Sequence, residues 1–102
     1  MPWLVRLSTE AGKQVERLPA DRQDQLLRSL REMAEDPFRG DVKPLKGRKS
    51  RGHYRKRAGR YRVIFLPQHQ GRIIDIYAVG PKAQKTYHWL SRRGGSWRGA
   101  TN

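Results

Sequence analysis

Arginine and lysine crowd onto a stretch that otherwise reads as a β-hairpin, and this combination constrains the chain more than any other feature. Between Asp41 and Asp75 there is no acidic residue, yet eleven Lys or Arg lie in that interval. Residues 52–57 and 60–66 read as two strands with Ala58-Gly59 as the turn, where Gly59 is free to adopt positive φ. Strand alternation puts His53, Arg55 and Arg57 on one face of the first strand, with Tyr54 and Lys56 on the other. On the second strand Arg62 goes with Ile64 and Leu66, opposite Tyr61, Val63 and Phe65. Like charges facing each other across strands cost stability. The fold gains nothing from them, so a polyanionic ligand is the economical explanation.

The charge is also segregated. Residues 1–41 hold seven basic and eight acidic residues, whereas residues 42–102 hold sixteen and one, giving the chain its net charge of +14. The first part therefore reads as amphipathic scaffold and the second as a footprint for phosphates. An anionic membrane is the competing partner, but no long basic amphipathic helix or lipidation signal supports it. No apolar run approaches the ~20 residues of a membrane span, and Met1-Pro2-Trp3 does not begin a signal peptide. A cytoplasmic protein is expected. There is no cysteine, which removes disulfides and thiolate chemistry, and His53, His69 and His88 are too scattered for metal-ligand spacing. No cofactor is implied.

At 102 residues there is room for one small core. Residues 3–7 alternate as a short strand, and Ser8 or Thr9 can cap a helix carrying Ala11, Val15 and Leu18. Pro19 interrupts. A second helix over 20–35 bears the stripe Leu26, Leu27, Leu30, Met33 and Ala34, and Asp36-Pro37 ends it. Residues 38–49 read as a loop and 67–71 as a turn. The last strand spans 72–80, with Ile74, Ile76 and Ala78 facing one way and Ile73, Asp75, Tyr77 and Val79 the other. A short helix follows over 82–90. The expected fold is α+β: a small antiparallel, mixed-edge four-stranded sheet, two N-terminal helices on one face and a short C-terminal helix, in the order βααβββα. Residues 1–91 form the domain, and residues 92–102 form a basic, Gly- and Arg-rich flexible tail.

Three pieces of sequence carry a resemblance: Leu45-Lys46-Gly47 in the loop; Tyr54-Arg55-Lys56-Arg57-Ala58-Gly59-Arg60-Tyr61-Arg62-Val63-Ile64-Phe65 in the hairpin; and Val79-Gly80-Pro81-Lys82 with Tyr87 beyond it. Over residues 3–90 the chain resembles the RelE/ParE superfamily of bacterial type II toxin–antitoxin toxins, and the RelE branch is favoured. Members of that branch cut messenger RNA in the ribosomal decoding site without metal; members of the ParE branch share the fold but poison DNA gyrase and lack the nuclease residues. The resemblance implies a catalytic set of His53, Arg55, Arg62, Lys82 and Tyr87, with Arg57 on the RNA backbone. His53 and Lys82 stand where a well-known member has Lys and Arg, and the interval from Lys82 to Tyr87 is one residue shorter. The partners it implies are a cognate antitoxin with an acidic or amphipathic segment, and messenger RNA on the ribosome.

Metal-free RNA cleavage needs a base for the 2′-OH, a stabiliser of the phosphorane and an acid for the leaving oxygen. Arginine can serve only as stabiliser, because it does not give up its proton. Arg62 takes that role, with His53 or Tyr87 as base and Lys82 as phosphate contact or acid. Lys43, Lys46, Arg48, Lys49, Arg51, Lys56, Arg57 and Arg60 are candidates for tracking the RNA backbone. Two readings from other classes remain: a ParE-like gyrase inhibitor, and an RNA- or ribosome-binding module without catalysis. His69, His88, Tyr61 and Tyr77 read as surface or packing residues, and Trp97 as a platform for a base or a partner.

Overall fold

The computed structural model describes residues 2–47 and 51–81, and the backbone of residues 97–100. Strand β1 (Leu4–Ser8) runs directly into helix α1 (Thr9–Glu16). The junction is Ser8, whose backbone is extended and whose Oγ accepts the Ala11 N–H at 3.0 Å, satisfying one of the free donors at the helix start. At the other end the Val15 carbonyl accepts both the Leu18 N–H and the Gln23 Nε2, which ties α1 to helix α2 (Ala20–Glu35). Helix α2 buries Leu26, Leu30 and Met33, one residue per turn on one stripe. It stops at Asp36, extended before Pro37, and the Asp36 carboxylate then caps the Phe38 N–H.

The remaining strands are β2 (Val42–Pro44), β3 (Tyr54–Ala58), β4 (Tyr61–Gln68), β5 (Ile73–Pro81) and β6 (Trp97–Ala100). They form one sheet in the order β2-β3-β4-β5-β1-β6, in which β1 runs parallel to β5 and every other pair is antiparallel. The α+β class and the antiparallel run β3-β4-β5 are as expected, but the sheet has six strands rather than four. Strand β2 lies inside the expected loop, and its three residues with a proline at the sheet edge are too short to announce themselves. Strand β6 lies inside the expected flexible tail. It pairs with the outer edge of β1 from Val5↔Ala100 to Ser8↔Trp97, a partnership of backbones that the Gly- and Arg-rich composition does not advertise. The expected helix over 82–90 lies outside the described residues.

The alternation expected for β5 breaks at one point. Ile64 pairs with Ala78 but Phe65 pairs with Ile76, so Tyr77 is the extra residue of a β-bulge. Beyond it the faces exchange. Val79 enters the main core opposite Val63, and Ala78 joins Ile64 on the other face, with Tyr77 packed against them. The helices cover the first face, where Leu26, Met33, Val63, Phe65, Ile74 and Ile76 are at most 1 % exposed. Strand β5 also outruns β1, whose pairing ends at Leu7↔Ile76. Two side chains serve the open edge: Ser8 Oγ donates to the Tyr77 carbonyl at 3.0 Å, and Gln14 Oε1 accepts the Val79 N–H at 2.6 Å.

One charge is buried in the sheet. Asp75, 2 % exposed, accepts Arg6 Nε at 2.7 Å and Nη2 at 3.1 Å, and also the Gln68 amide. The hydrogen bond to Asp75 lifts the Arg6 pKa above its already high ordinary value, so Arg6 stays charged wherever the protein is folded. The arginine side chain is 31 % exposed, which leaves the carboxylate as the partner that cannot turn to water. Removing only the cation should therefore be costly. Arg6→Met is expected to lower the urea-unfolding free energy by about 3 kcal/mol, and adding Asp75→Leu to recover part of that loss. An Arg6→Met protein as stable as the parent would contradict the assignment.

Candidate nucleic-acid interface

Because Val63 and Phe65 face the helices, their neighbours on β4 face away, and pairing carries that choice across the sheet. One row of partners reads Lys43, Arg55, Ile64, Ala78; the next reads Arg57, Arg62, Gly80. Arg57 and Arg62 sit directly opposite each other, and Arg55 lies two residues along β3 on the same face. Paired side chains on adjacent strands stand about 5 Å apart at Cβ, and alternate residues on one strand about 6.8 Å apart. The sequence therefore brings Lys43, Arg55, Arg57 and Arg62 into one patch, as read from the alternation.

The patch borders an apolar floor. Ile64 and Ala78 are buried there, with Leu45 and Tyr77 packed against them. Arg62 lies half-buried over this region, and its Nε is enclosed without a hydrogen-bond partner among the described residues. Its cross-strand neighbour Gly80 brings no side chain to fill the space. A buried guanidinium N–H with no acceptor is a standing demand for an anion or a water. The Arg57 Nε is 4.0 Å from an Asp41 carboxylate oxygen, both side chains being exposed.

His53 is 3 % exposed, so its ring belongs to the floor rather than to the solvent. Its Nδ1 lies 3.2 Å from the Arg51 carbonyl, and its ring makes a T-shaped contact with the Tyr77 ring at a centroid distance of 4.8 Å. A carbonyl can only accept, so that contact puts the proton on Nδ1 and leaves Nε2 as the nitrogen able to take another.

Lys56 does not belong to the patch, contrary to its inclusion among the RNA-tracking residues. It is paired with Val63, which puts it on the helix side, and its buried ammonium donates to the Arg39 carbonyl at 2.6 Å. A lysine there stabilises the 36–42 loop by snorkelling to its backbone. Lys46, Arg51 and Arg60 are exposed in the connections around the hairpin. Arg48, Lys49, Lys82, Tyr87 and His88 lie outside the described residues. Tyr61 packs on the main core, and His69 packs in an aromatic group between Trp3 and Phe38.

Sequence reasoning missed Asp41, whose place beside Arg57 follows from the β2–β3 pairing and has no local sequence signal. It also missed the floor role of Ala78, which depends on the bulge. Among the described residues no three His, Asp or Glu side chains gather in a group able to hold a metal ion. No described helix is long and apolar enough to cross a membrane.

The family model described as the ParE toxin of type II toxin–antitoxin system, parDE, matches residues 5–86. No curated protein matches the sequence. Among solved structures, the RelBE2 toxin–antitoxin complex of Mycobacterium tuberculosis is similar with a TM-score of 0.71 and 24% identity, over 80% of this chain and 100% of that one. The archaeal RelE–RelB complex of Pyrococcus horikoshii OT3 gives 0.68 and 25%, over 83% and 100%. The YoeB/ParE toxin of Agrobacterium tumefaciens gives 0.65 and 18%, over 76% and 95%. With four-fifths of its length matched and its fold shared with both RelE and ParE neighbours, the chain belongs to the ParE toxin family of type II toxin–antitoxin systems, within the RelE/ParE superfamily.

Proposed function

We propose that this toxin is a metal-independent endoribonuclease that cleaves messenger RNA in the ribosomal A site, acting in the cytoplasm and held in check by a cognate antitoxin. The observation that carries the reading is the convergence of Arg55, Arg57 and Arg62 on one face, with the Arg62 Nε buried and unsatisfied among the described residues. Such a group binds a phosphate through its forks and stabilises the charge that grows on the phosphorane oxygens. In this reading Arg62 holds the scissile phosphate, Arg55 and Arg57 hold its neighbours, and Lys43 guides the flanking chain. The base is His53, through Nε2, or Tyr87, with Lys82 as phosphate contact or acid; these assignments rest on the family resemblance. The antitoxin partner is supported by the M. tuberculosis and P. horikoshii neighbours, both of which are toxin–antitoxin complexes. A chain of net charge +14 suits an acidic segment, whose association then slows as salt rises.

A second reading has its own support, since the matching family model carries the ParE name. ParE-branch toxins act on DNA gyrase and are not nucleases. The two readings separate in a pair of assays. Primer extension on a translated message shows ribosome-dependent cuts if the chain is a nuclease; if it is not, that assay shows no cuts and a parallel gyrase–DNA reaction accumulates cleavage complexes.

For the nuclease, Arg62→Ala is expected to slow cleavage by about 10²–10³-fold, with Arg62→Lys recovering part of the loss because it restores charge but not the planar fork. An Arg62→Ala protein that cuts at the parental rate would refute the role. His53→Gln decides between the bases. If His53 is the base, cleavage falls and the acidic limb of the pH–rate profile disappears; if it only packs under the patch, the profile keeps its shape.

A further inference from the structure

Asp41 is the one carboxylate that the described structure brings to the cationic patch, and its position is fixed by the backbone on both sides. The Arg57 N–H donates to the Asp41 carbonyl at 3.0 Å, and the Val42 N–H donates to the Gly40 carbonyl at 3.0 Å. Gly40 itself has φ +87, a turn conformation that a side chain would strain. The buried ammonium of Lys56 holds the Arg39 carbonyl and so clamps the same loop from the helix side. The result is a strip running across the sheet: Asp41, then Arg57 with its Nε 4.0 Å from the carboxylate, then Arg62.

We infer that Asp41 is a resident counterion of this patch, which a ligand phosphate displaces from Arg57, and that it sets how selectively the patch takes phosphate-bearing chains over weaker anions. The inference rests on the RNA reading above. An exposed ion pair at this separation is weak, so the arginine is retained in place yet readily surrendered. The Asp41 backbone is held beside Arg57, so its short side chain stays at the edge of the patch. A phosphodiester can reach further, offering two free oxygens to a guanidinium fork while neighbouring phosphates engage Arg55 and Arg62. An anion making a single contact gains little from the exchange, so even this weak carboxylate contact competes with it. Asp41 also lessens the repulsion between Arg57 and Arg62 while the face is empty.

The test is binding of a fluorescent single-stranded oligoribonucleotide, measured by anisotropy at low salt, with inorganic phosphate and heparin as competing anions. Asp41→Asn keeps the backbone bond to Arg57 and removes the charge. It should tighten binding about threefold and make the complex easier to compete with inorganic phosphate. Asp24→Asn on the exposed side of α2 changes the net charge equally and should leave both unchanged. In an Arg57→Ala background Asp41→Asn should have no effect. A parental chain that binds the RNA while Asp41→Asn matches the parent or the Asp24→Asn control, or keeps its gain without Arg57, overturns the inference and leaves the RNA reading standing. A parental chain that does not bind the RNA overturns both.

Discussion

Val63 and Phe65 point into the helices, and that requirement decides where Arg62 goes. Strand β4 lies between β3 and β5, so a side chain on its core face fixes the facing of its partners on both sides. Once Leu26, Met33 and the β4 and β5 side chains close the core, Arg55, Arg57 and Arg62 have only the other face to occupy. The hydrophobic effect thereby supplies what the cations lack, a reason to stay together despite their repulsion. The cationic patch is placed by packing that happens on the opposite side of the sheet.

The two charged features of that second face differ in kind. Arg6, Asp75 and Gln68 form a satisfied group in which donors and acceptors meet. Such a group contributes to specifying the fold, since any shift in the β1–β5 register would strand a buried carboxylate. At the other end of the face, among the described residues, the cations outnumber the one carboxylate in reach, and one guanidinium nitrogen is enclosed without a partner. The imbalance marks the end of the sheet at which a ligand would complete the electrostatics. The bulge at Tyr77 connects the two regions by turning Tyr77 and Ala78 into floor between them.

Much of this was legible in the sequence because the signals were local. Helix α2 was bounded by Pro19 and Asp36-Pro37, Ser8 announced the start of α1, and Gly59 takes the positive φ of +62 that its hairpin turn needs. The facing of Arg55, Arg57 and Arg62 followed from a period of two. What was not legible depends on pairing. Strand β2 is three residues long, β6 is held by the edge of β1, and the bulge exists only as a mismatch between β4 and β5. Lys56 carries the same charge as its neighbours, and only its place on the helix side reveals a structural duty. His53 reads as a solvated strand histidine until Tyr77 and the Arg51 carbonyl are seen to enclose it.

In the proposed reading, RNA lies across the face opposite the helices, over the patch where β3, β4 and the end of β5 meet. Titration of the labelled protein with a short single-stranded RNA, followed through backbone amide resonances, locates the bound chain. The largest shifts should fall on Arg55, Arg57, Arg62 and Gly80 while α2 stays silent. Shifts concentrated on the helices, or spread evenly over the surface, would contradict it.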